Sequence, residues 1–343
     1  MIYKILKDDF DEICKSIKNF DYKNILISGG CGFIGYYLVK SISRISPKSR
    51  ITIIDNLEAK NSSLDPFKKI NNIRILFEDL TKINTKKLNE KYDLVIHLAG
   101  IPSPFHYMAN PLKTLDIAVN GTRVLLEISK KNQSKFIFFS SSEIYGDPDP
   151  NYVPTEESYR GNVSTIGPRA CYDESKRIGE TLCYIYGKYY GVYTNTIRPF
   201  NFFGPGMDKN DFRVIPVLVN QSLQGKDLKV FGKGQQTRTF CYITDAIIGS
   251  LKVINKGIPG EVYNIGQHYS EEIKMIDLAK KIKKITKSKS QIKTIVHPEL
   301  YPTDDPNRRA PNIDKAIKQL NFIPSMQLNS SLERFIGWAK ENY

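Results

Sequence analysis

Lys23–Gly35 reads KNILISGGCGFIG: an apolar run, Ile25–Ile27, breaks at once into glycines and passes to a segment with helical spacing over Tyr36–Ile42. Strand, tight turn and helix in that order turn helix N-terminal amides toward a phosphate. Gly29, Gly32 and Gly35 are expected to serve the turn, the approach of a pyrophosphate and the helix–strand contact. Phe33 and Ile34 lie between them at the helix start. The spacing G-x-x-G-x-x-G departs from the commoner dinucleotide fingerprint, so the glycines gain weight from an acidic residue at the end of the next strand. That apolar run, Ile51–Ile54, ends in Asp55, 20 residues past Gly35. A carboxylate there can accept both ribose hydroxyls and repels a 2′-phosphate, which favours NAD over NADP. Asn56 comes next in the same expected cofactor edge.

Outward from this stretch, the chain alternates strands with crossover helices. A strand is expected at Ile73–Phe77, with Glu78, Asp79 and Leu80 after it where an adenine would lie. A solvated helix is expected at Lys86–Leu88. Leu94–Ala99 (LVIHLA) is a continuous apolar run of the kind covered on both faces, with Leu98, Ala99 and Gly100 at its cofactor end. The proline-bearing loop Ile101–Pro111 precedes a helix predicted over Thr114–Lys130. The strand Phe136–Phe139 ends in Ser140, Ser141, Ser142 and Glu143. The irregular, acidic segment Tyr145–Gly167 is expected over the mouth of the site. A helix from Asp173 to Tyr189 and a strand at Tyr193–Ile197 come after it. The pattern argues a doubly wound parallel α/β sheet of Rossmann type with a smaller mixed α/β lobe. Residues 1–20 read as an N-terminal amphipathic helical extension and 21–200 mainly as the NAD-binding domain. Residues 201–343 read mainly as a substrate lobe interleaved with the end of that domain.

The 343 residues can bury a sizeable core, and no run of roughly 18 apolar residues suggests a membrane span. MIYKILKDDFDEICKSIKNF lacks the apolar core and cleavage site of a signal peptide; Ile5, Leu6, Phe10, Ile13 and Ile17 instead recur at helical spacing. Five scattered cysteines fit reduced thiols in a cytoplasmic protein, and the four histidines form no metal motif. The formal charge of +14 is spread over the chain without a nucleic-acid module, so it suits an anionic small-molecule substrate better than DNA or RNA.

The chemistry points to Tyr172 and Lys176, a Y-x-x-x-K pair that one helical turn puts on the same side. Lys176 is expected to bind a nicotinamide ribose and to depress the tyrosine pKa. Tyr172 then takes a proton from a substrate hydroxyl, with Ser141 or Ser142 bonding the same oxygen. Other residues have plainer readings. Glu143 can cap its loop, Arg308 and Arg309 can be surface charges, and Cys31 is a small turn residue. Asp173 and Glu174 read as solvated, with Asp173 at the helix start, and Asp245 reads as an N-cap.

From Lys23 onward the chain resembles the extended short-chain dehydrogenases/reductases that act on nucleotide sugars, the NAD-dependent epimerase/dehydratase family. SSSEIYGDP (Ser140–Pro148), GNVSTIGPRACYDESKRIGET (Gly161–Thr181), QTRTFCYITD (Gln236–Asp245) and DDPNRRAPNI (Asp304–Ile313) carry the resemblance. PRACYDESKR and the late double arginine are most similar to the UDP-glucuronate decarboxylase branch. The resemblance implies that Ser142 and Tyr172 hold the C4 hydroxyl, that Glu143 is the family's catalytic glutamate, and that Arg309 and Tyr107 meet the substrate carboxylate. It places Asn201, Arg213 and Arg238 on uracil and diphosphate, and implies a homodimer. Ser141 stands where the family usually has threonine, Gly206 where arginine is common, and Phe212 where a small residue is usual. A nucleotide-sugar 4,6-dehydratase or 4-epimerase is the alternative. The dehydratase arrangement with Asp before the catalytic Glu has Ser142 at that position here. A non-catalytic NAD-binding scaffold would not need Tyr172, Lys176, the serines and Glu143 together.

Overall fold

Seven parallel strands frame the molecule within the residues that the computed structural model describes, namely 2–58, 67–68, 70–296 and 306–343. After helix α1 (Ile2–Ser16) come β1 (Asn24–Ser28), α2 (Phe33–Ile45), β2 (Arg50–Ile54), β3 (Ile73–Leu76) and β4 (Leu94–His97). Next are α3 (Pro104–Ala109), α4 (Pro111–Asp116), α5 (Thr122–Asn132), β5 (Lys135–Phe139), α6 (Ala170–Tyr190) and β6 (Thr194–Pro199). The second part adds β7 (Phe202–Phe203), α7 (Val214–Leu223), β8 (Leu228–Phe231), β9 (Thr237–Arg238), β10 (Cys241–Tyr242) and α8 (Ile243–Lys256). It continues through β11 (Val262–Ile265), β12 (Ile273–Lys274), α9 (Met275–Thr286) and β13 (Ile292–Ile295). Last come β14 (Arg308–Arg309), α10 (Asp314–Leu320) and α11 (Leu328–Asn342).

The large sheet has the order β3-β2-β1-β4-β5-β6-β11, so the direction of winding reverses between β1 and β4. That reversal opens a crevice at the strands' carboxyl ends, where α/β sheets take their ligands. Leu94–Ile96 and Phe136–Phe138 are wholly buried, as strands with helices on both faces must be. β11 shows that the C-terminal part returns to complete this sheet, pairing Val262–Ile265 with Thr196–Pro199. The smaller lobe carries short sheets, one of which joins β12, β9 and β14 and puts Arg309 opposite Arg238.

Several elements differ from the sequence reading. The predicted helix over Thr114–Lys130 begins earlier and is broken. Pro104 and Pro111 each open a short helix, as proline does where its missing N–H costs nothing. A π turn at Ile117–Gly121 then precedes α5. Lys86–Leu88 is no solvated helix but the edge of a single 3₁₀ turn, Thr85–Lys87, in which the Lys86 amide donates to the Asn84 side chain. The polar stretch after Asp55 falls largely on residues outside the described ones, as do Asp304 and Asp305.

The N-terminal segment is built into the core. Phe10, Ile13 and Ile17 are buried as α1 packs on α2, α8 and α11, and Phe10 stacks on Tyr37 with centroids 5.1 Å apart. Asp9, fully buried, accepts from Tyr242 Oη at 2.9 Å and Arg334 Nη1 at 2.5 Å. Asp245 is not an N-cap. It is buried in α8, where its carboxylate takes the backbone N–H of Ser325 and Met326, at 3.0 and 2.8 Å, and pins the chain entering α11.

Candidate active site

The turn after β1 has the geometry its glycines imply. Gly29 has φ +72°, and a Cβ there would lie 2.6 Å from the Ala99 backbone nitrogen. A Cβ on Gly35 would meet Gly29 O at 2.4 Å, so α2 starts in contact with the turn itself. The backbone at Gly32, the N-cap of α2, is extended and has no side-chain cap bond, which leaves the amides of Phe33 and Ile34 facing the crevice end. Asp55 ends β2 at the same edge. It receives the Cys31 N–H at 3.0 Å and the Leu57 N–H at 2.9 Å, and burial holds its carboxyl above the usual carboxylate range. Asn56 accepts from Glu58 N, while Asp79 bonds the Thr81 amide and hydroxyl ahead of buried Leu80. Leu98, Ala99 and Gly100 form the other bank, and a Cβ on Gly100 would stand 3.4 Å from Lys176 Nζ. A two-phosphate cofactor with a free ribose diol suits this cradle: anion-binding amides on one side, a diol acceptor at the far edge and a cation at the near one.

Beneath the crevice His97 joins three elements. Its Nε2–H donates to Ile117 O in the π turn at 3.3 Å, and Nδ1 accepts from Ser28 Oγ at 2.6 Å. Burial lowers its pKa to about 3, so the ring is neutral and its role is to lock β1, β4 and that turn together.

α6 carries Tyr172 and Lys176, and it sits so close to β5 that a Cβ on Gly179 would overlap the Phe138 ring at 2.3 Å. That contact sets both side chains at the sheet's edge. Lys176 Nζ donates to Phe139 O at 2.8 Å and lies 5.9 Å from the Tyr172 ring centroid. Burial lowers its pKa to about 8. The Tyr172 phenol, expected to be depressed by that lysine, is instead pushed up by burial to about 12; a Ser141 hydrogen bond and the Arg213 charge act against the rise. Ser141 caps the turn after β5, accepting the Glu143 N–H at 3.2 Å, and Ser142 is buried next to it. Tyr107 on α3 stacks face to face on Tyr172, centroids 5.1 Å apart and planes 10° off parallel. Its hydroxyl is buried with no hydrogen-bond partner among the described residues.

Glu143 is the centre of the arginine chemistry. Arg309 grips it with both terminal nitrogens, Nη2 to Oε2 at 2.7 Å, and Arg169 donates to the same Oε2. Arg309 is therefore a buried site residue and no surface charge, while Arg308 turns away to pair with Glu272. Arg213 makes a forked pair with Asp211 and faces Tyr172. Asn201 and Arg238 are directed at backbone: Asn201 to Thr239 O, and Arg238 to Thr237 O and Pro306 O. So the fold brings Ser141, Glu143, Tyr107, Tyr172, Lys176, Arg213 and Arg309 together, with Asn201 and Arg238 on the lobe behind them.

Two participants were not anticipated. Arg169 lies one residue before α6 and is only 5% exposed. Asp173, expected in solvent, is 3% exposed and accepts from Arg169 Nε at 3.3 Å. The i, i+4 spacing of an arginine and an aspartate around Tyr172 was the available signal.

Residues 25–266 match the model of the NAD dependent epimerase/dehydratase family. The chain is 35% identical over 328 residues to UDP-glucuronic acid decarboxylase 1 of Xenopus tropicalis, covering 95% of this chain and 74% of that protein. It is 38% identical over 309 residues to UDP-glucuronic acid decarboxylase 6 of Arabidopsis thaliana, covering 90% and 86%. A solved UDP-glucuronic acid 4-epimerase from Bacillus cereus, in complex with UDP-glucuronic acid and NAD, is similar with a TM-score of 0.80 and 27% identity over 93% of this chain and 100% of its own.

Proposed function

The chain belongs to the NAD-dependent epimerase/dehydratase family, and from that premise we propose that it converts UDP-glucuronate to UDP-xylose and CO₂. NAD, when bound, accepts a hydride from the sugar's C4 and later returns it. The single observation that carries the reading is the buried Arg309–Glu143–Arg169 cluster beside Tyr172 and Tyr107. A sugar carboxylate gives such guanidiniums a task that a neutral hexose does not.

Tyr172, bonded to Ser141, removes the C4 hydroxyl proton, and Ser142 holds the same oxygen. Lys176, between Gly100 and Phe139 O, holds the cofactor ribose. Arg309 and the Tyr107 hydroxyl orient the C6 carboxylate. Once C4 is a ketone, that carboxylate is β to it. Its C5–C6 bond pair moves into an enolate that the Tyr172 and Ser141 hydroxyls stabilise, and CO₂ leaves. Glu143 and its arginines then govern protonation at C5. Asp55 and Gly29–Gly35 hold the adenosine half and the pyrophosphate; Asn56, Asp79, Leu80, Leu98 and Ala99 line it. Asn201, Arg213 and Arg238 hold the uridine diphosphate.

A 4-epimerase acting on the same acid sugar is the second reading, favoured by the likeness to the Bacillus cereus structure. Incubation with UDP-glucuronate in D₂O separates them. Released CO₂ and a UDP-pentose with deuterium at C5 support decarboxylation; an acidic C4 epimer without CO₂ replaces it. A cytoplasmic homodimer formed by paired helices, among them α6, belongs to this proposal, supported by exposed Ile178 and Tyr184 on α6 and by free cysteines. Sedimentation velocity checks the dimer.

A further inference from the structure

Half-buried Glu143 and buried Asp173, Arg169 and Arg309 bring two carboxylates and two guanidiniums together, equal in number among the described residues. A sugar carboxylate arriving there adds a fifth charge, and an uncompensated charge in a buried cluster is costly. The imbalance is removed when one carboxylate takes a proton. Glu143 is poorly placed for it, because both its oxygens already accept from guanidinium N–H groups. Asp173 differs. Its Oδ2 has one long contact, to Arg169 Nε at 3.3 Å, and its Oδ1 is buried without a hydrogen-bond partner among the described residues.

We propose that Asp173 takes up a proton on Oδ1 when an acidic sugar binds, keeping the arginine cluster neutral and holding in the site the proton that decarboxylation consumes. The inference rests on the reading that the substrate sugar carries a carboxylate. The balance is simple: R–COO⁻ plus H⁺ gives R–H and CO₂, so each turnover uses one proton from the enzyme's surroundings. Asp173 returns to the carboxylate form as the C5–H bond is completed through the cluster, and rebinding of substrate reloads it. The groups that face Asp173 are Glu143 from the turn after β5, Arg169 ahead of α6, Arg309 from β14, Tyr107 from α3, and Cys171 and Tyr172 on its own helix. Burial, then the Glu143 charge, raise its carboxyl above the ordinary range, in the direction the proposal needs.

The test uses calorimetry with the Tyr172→Phe protein and bound NAD, so that ligand binds without turning over. Binding of UDP-glucuronate and of UDP-glucose is measured at pH 7 in buffers of different ionisation enthalpy, which gives the protons taken up with each. Because the ligand-free Asp173 carboxyl titrates at about 7, UDP-glucuronate should take up about half a proton more than UDP-glucose at this pH. Adding Asp173→Asn, which keeps an acceptor for Arg169, should abolish the difference; adding Glu143→Gln, which removes one negative charge from the cluster, should diminish it as well. Equal proton counts for the two sugars overturn the proposal without needing any Asp173 variant. Uptake that survives Asp173→Asn overturns it too. CO₂ release by the wild-type protein is scored separately: its absence refutes decarboxylation, whereas release without differential proton uptake refutes only the role of Asp173.

Discussion

Lys176 shows what burial asks of a single charged side chain. Its ammonium ordinarily titrates at 10.5, and burial lowers that to about 8. Below pH 8 the lysine is charged whether the chain is folded or not, and holding that charge inside costs up to about 3 kcal/mol. Between 8 and 10.5 the unfolded chain carries the extra proton, so stability rises with pH across that window. Lys176→Met should therefore raise the urea midpoint of the ligand-free protein at pH 7. The net gain should be about 1–2 kcal/mol after loss of the Phe139 O bond, and it should shrink as pH approaches 10.5. Tyr172→Phe removes only a hydroxyl; it should keep the fold and NAD while turnover falls at least about 100-fold. Arg309→Ala should raise the KM for UDP-glucuronate and slow turnover with little change in affinity for UDP, since it strips Glu143 of its two-point partner but touches no diphosphate position. Tyr172, Lys176, Ser141, Glu143 and Arg309 were legible as residue types in a pattern. What was not legible was electrostatic: that the tyrosine's pKa rises, that Asp173 is buried, and that Arg169 shares Glu143. These depend on which side chains the fold encloses together, and one helix's sequence does not contain that.

At the scale of elements, the glycine turn makes two substitutions separable. Alanine at Gly35 would press on Gly29 O at 2.4 Å, so Gly35→Ala should disrupt the β1–α2 contact and lower the melting temperature of ligand-free protein. A Cβ on Gly32 meets only Gly29 O, at 3.5 Å. Gly32→Ala should leave the melting temperature nearly unchanged and weaken NAD at least about tenfold, because the methyl fills the approach to the helix amides. Thermal shift and NAD titration together check both. β1, β2, β4 and β5 were readable because each is a short apolar run bounded by turn residues, whereas β11 went unread. The break in the helix after β4 was not readable, since the π turn at Ile117–Gly121 meets His97 from another element through the Ile117 carbonyl, a contact no local period encodes. The short strands β9, β12 and β14, two residues each, had no period to read.

At the scale of the whole molecule, α1 is a structural member joined to the far end of the chain. Asp9 meets Tyr242 before α8 and Arg334 on α11, and Ile5 lies against Gly337. Asp9→Ala should cost about 2–4 kcal/mol in urea unfolding, because it leaves the Tyr242 hydroxyl buried and unpaired; Arg334, partly exposed, adds little to the loss. Turnover of the folded variant should change less than twofold, since the proposed active-site residues lie on other elements. The sequence showed the amphipathic helix but not its dock, because the complementary surface is assembled from three segments remote in the chain. The same clasp orders events in time. Asp9 leaves the ribosome 325 residues before Arg334 can answer it, an interval of tens of seconds at about 5–20 residues per second. Throughout that wait Phe10, Ile13 and Ile17 have no α11 to cover them, so an apolar face synthesised long before its partner is also among the last to be sealed.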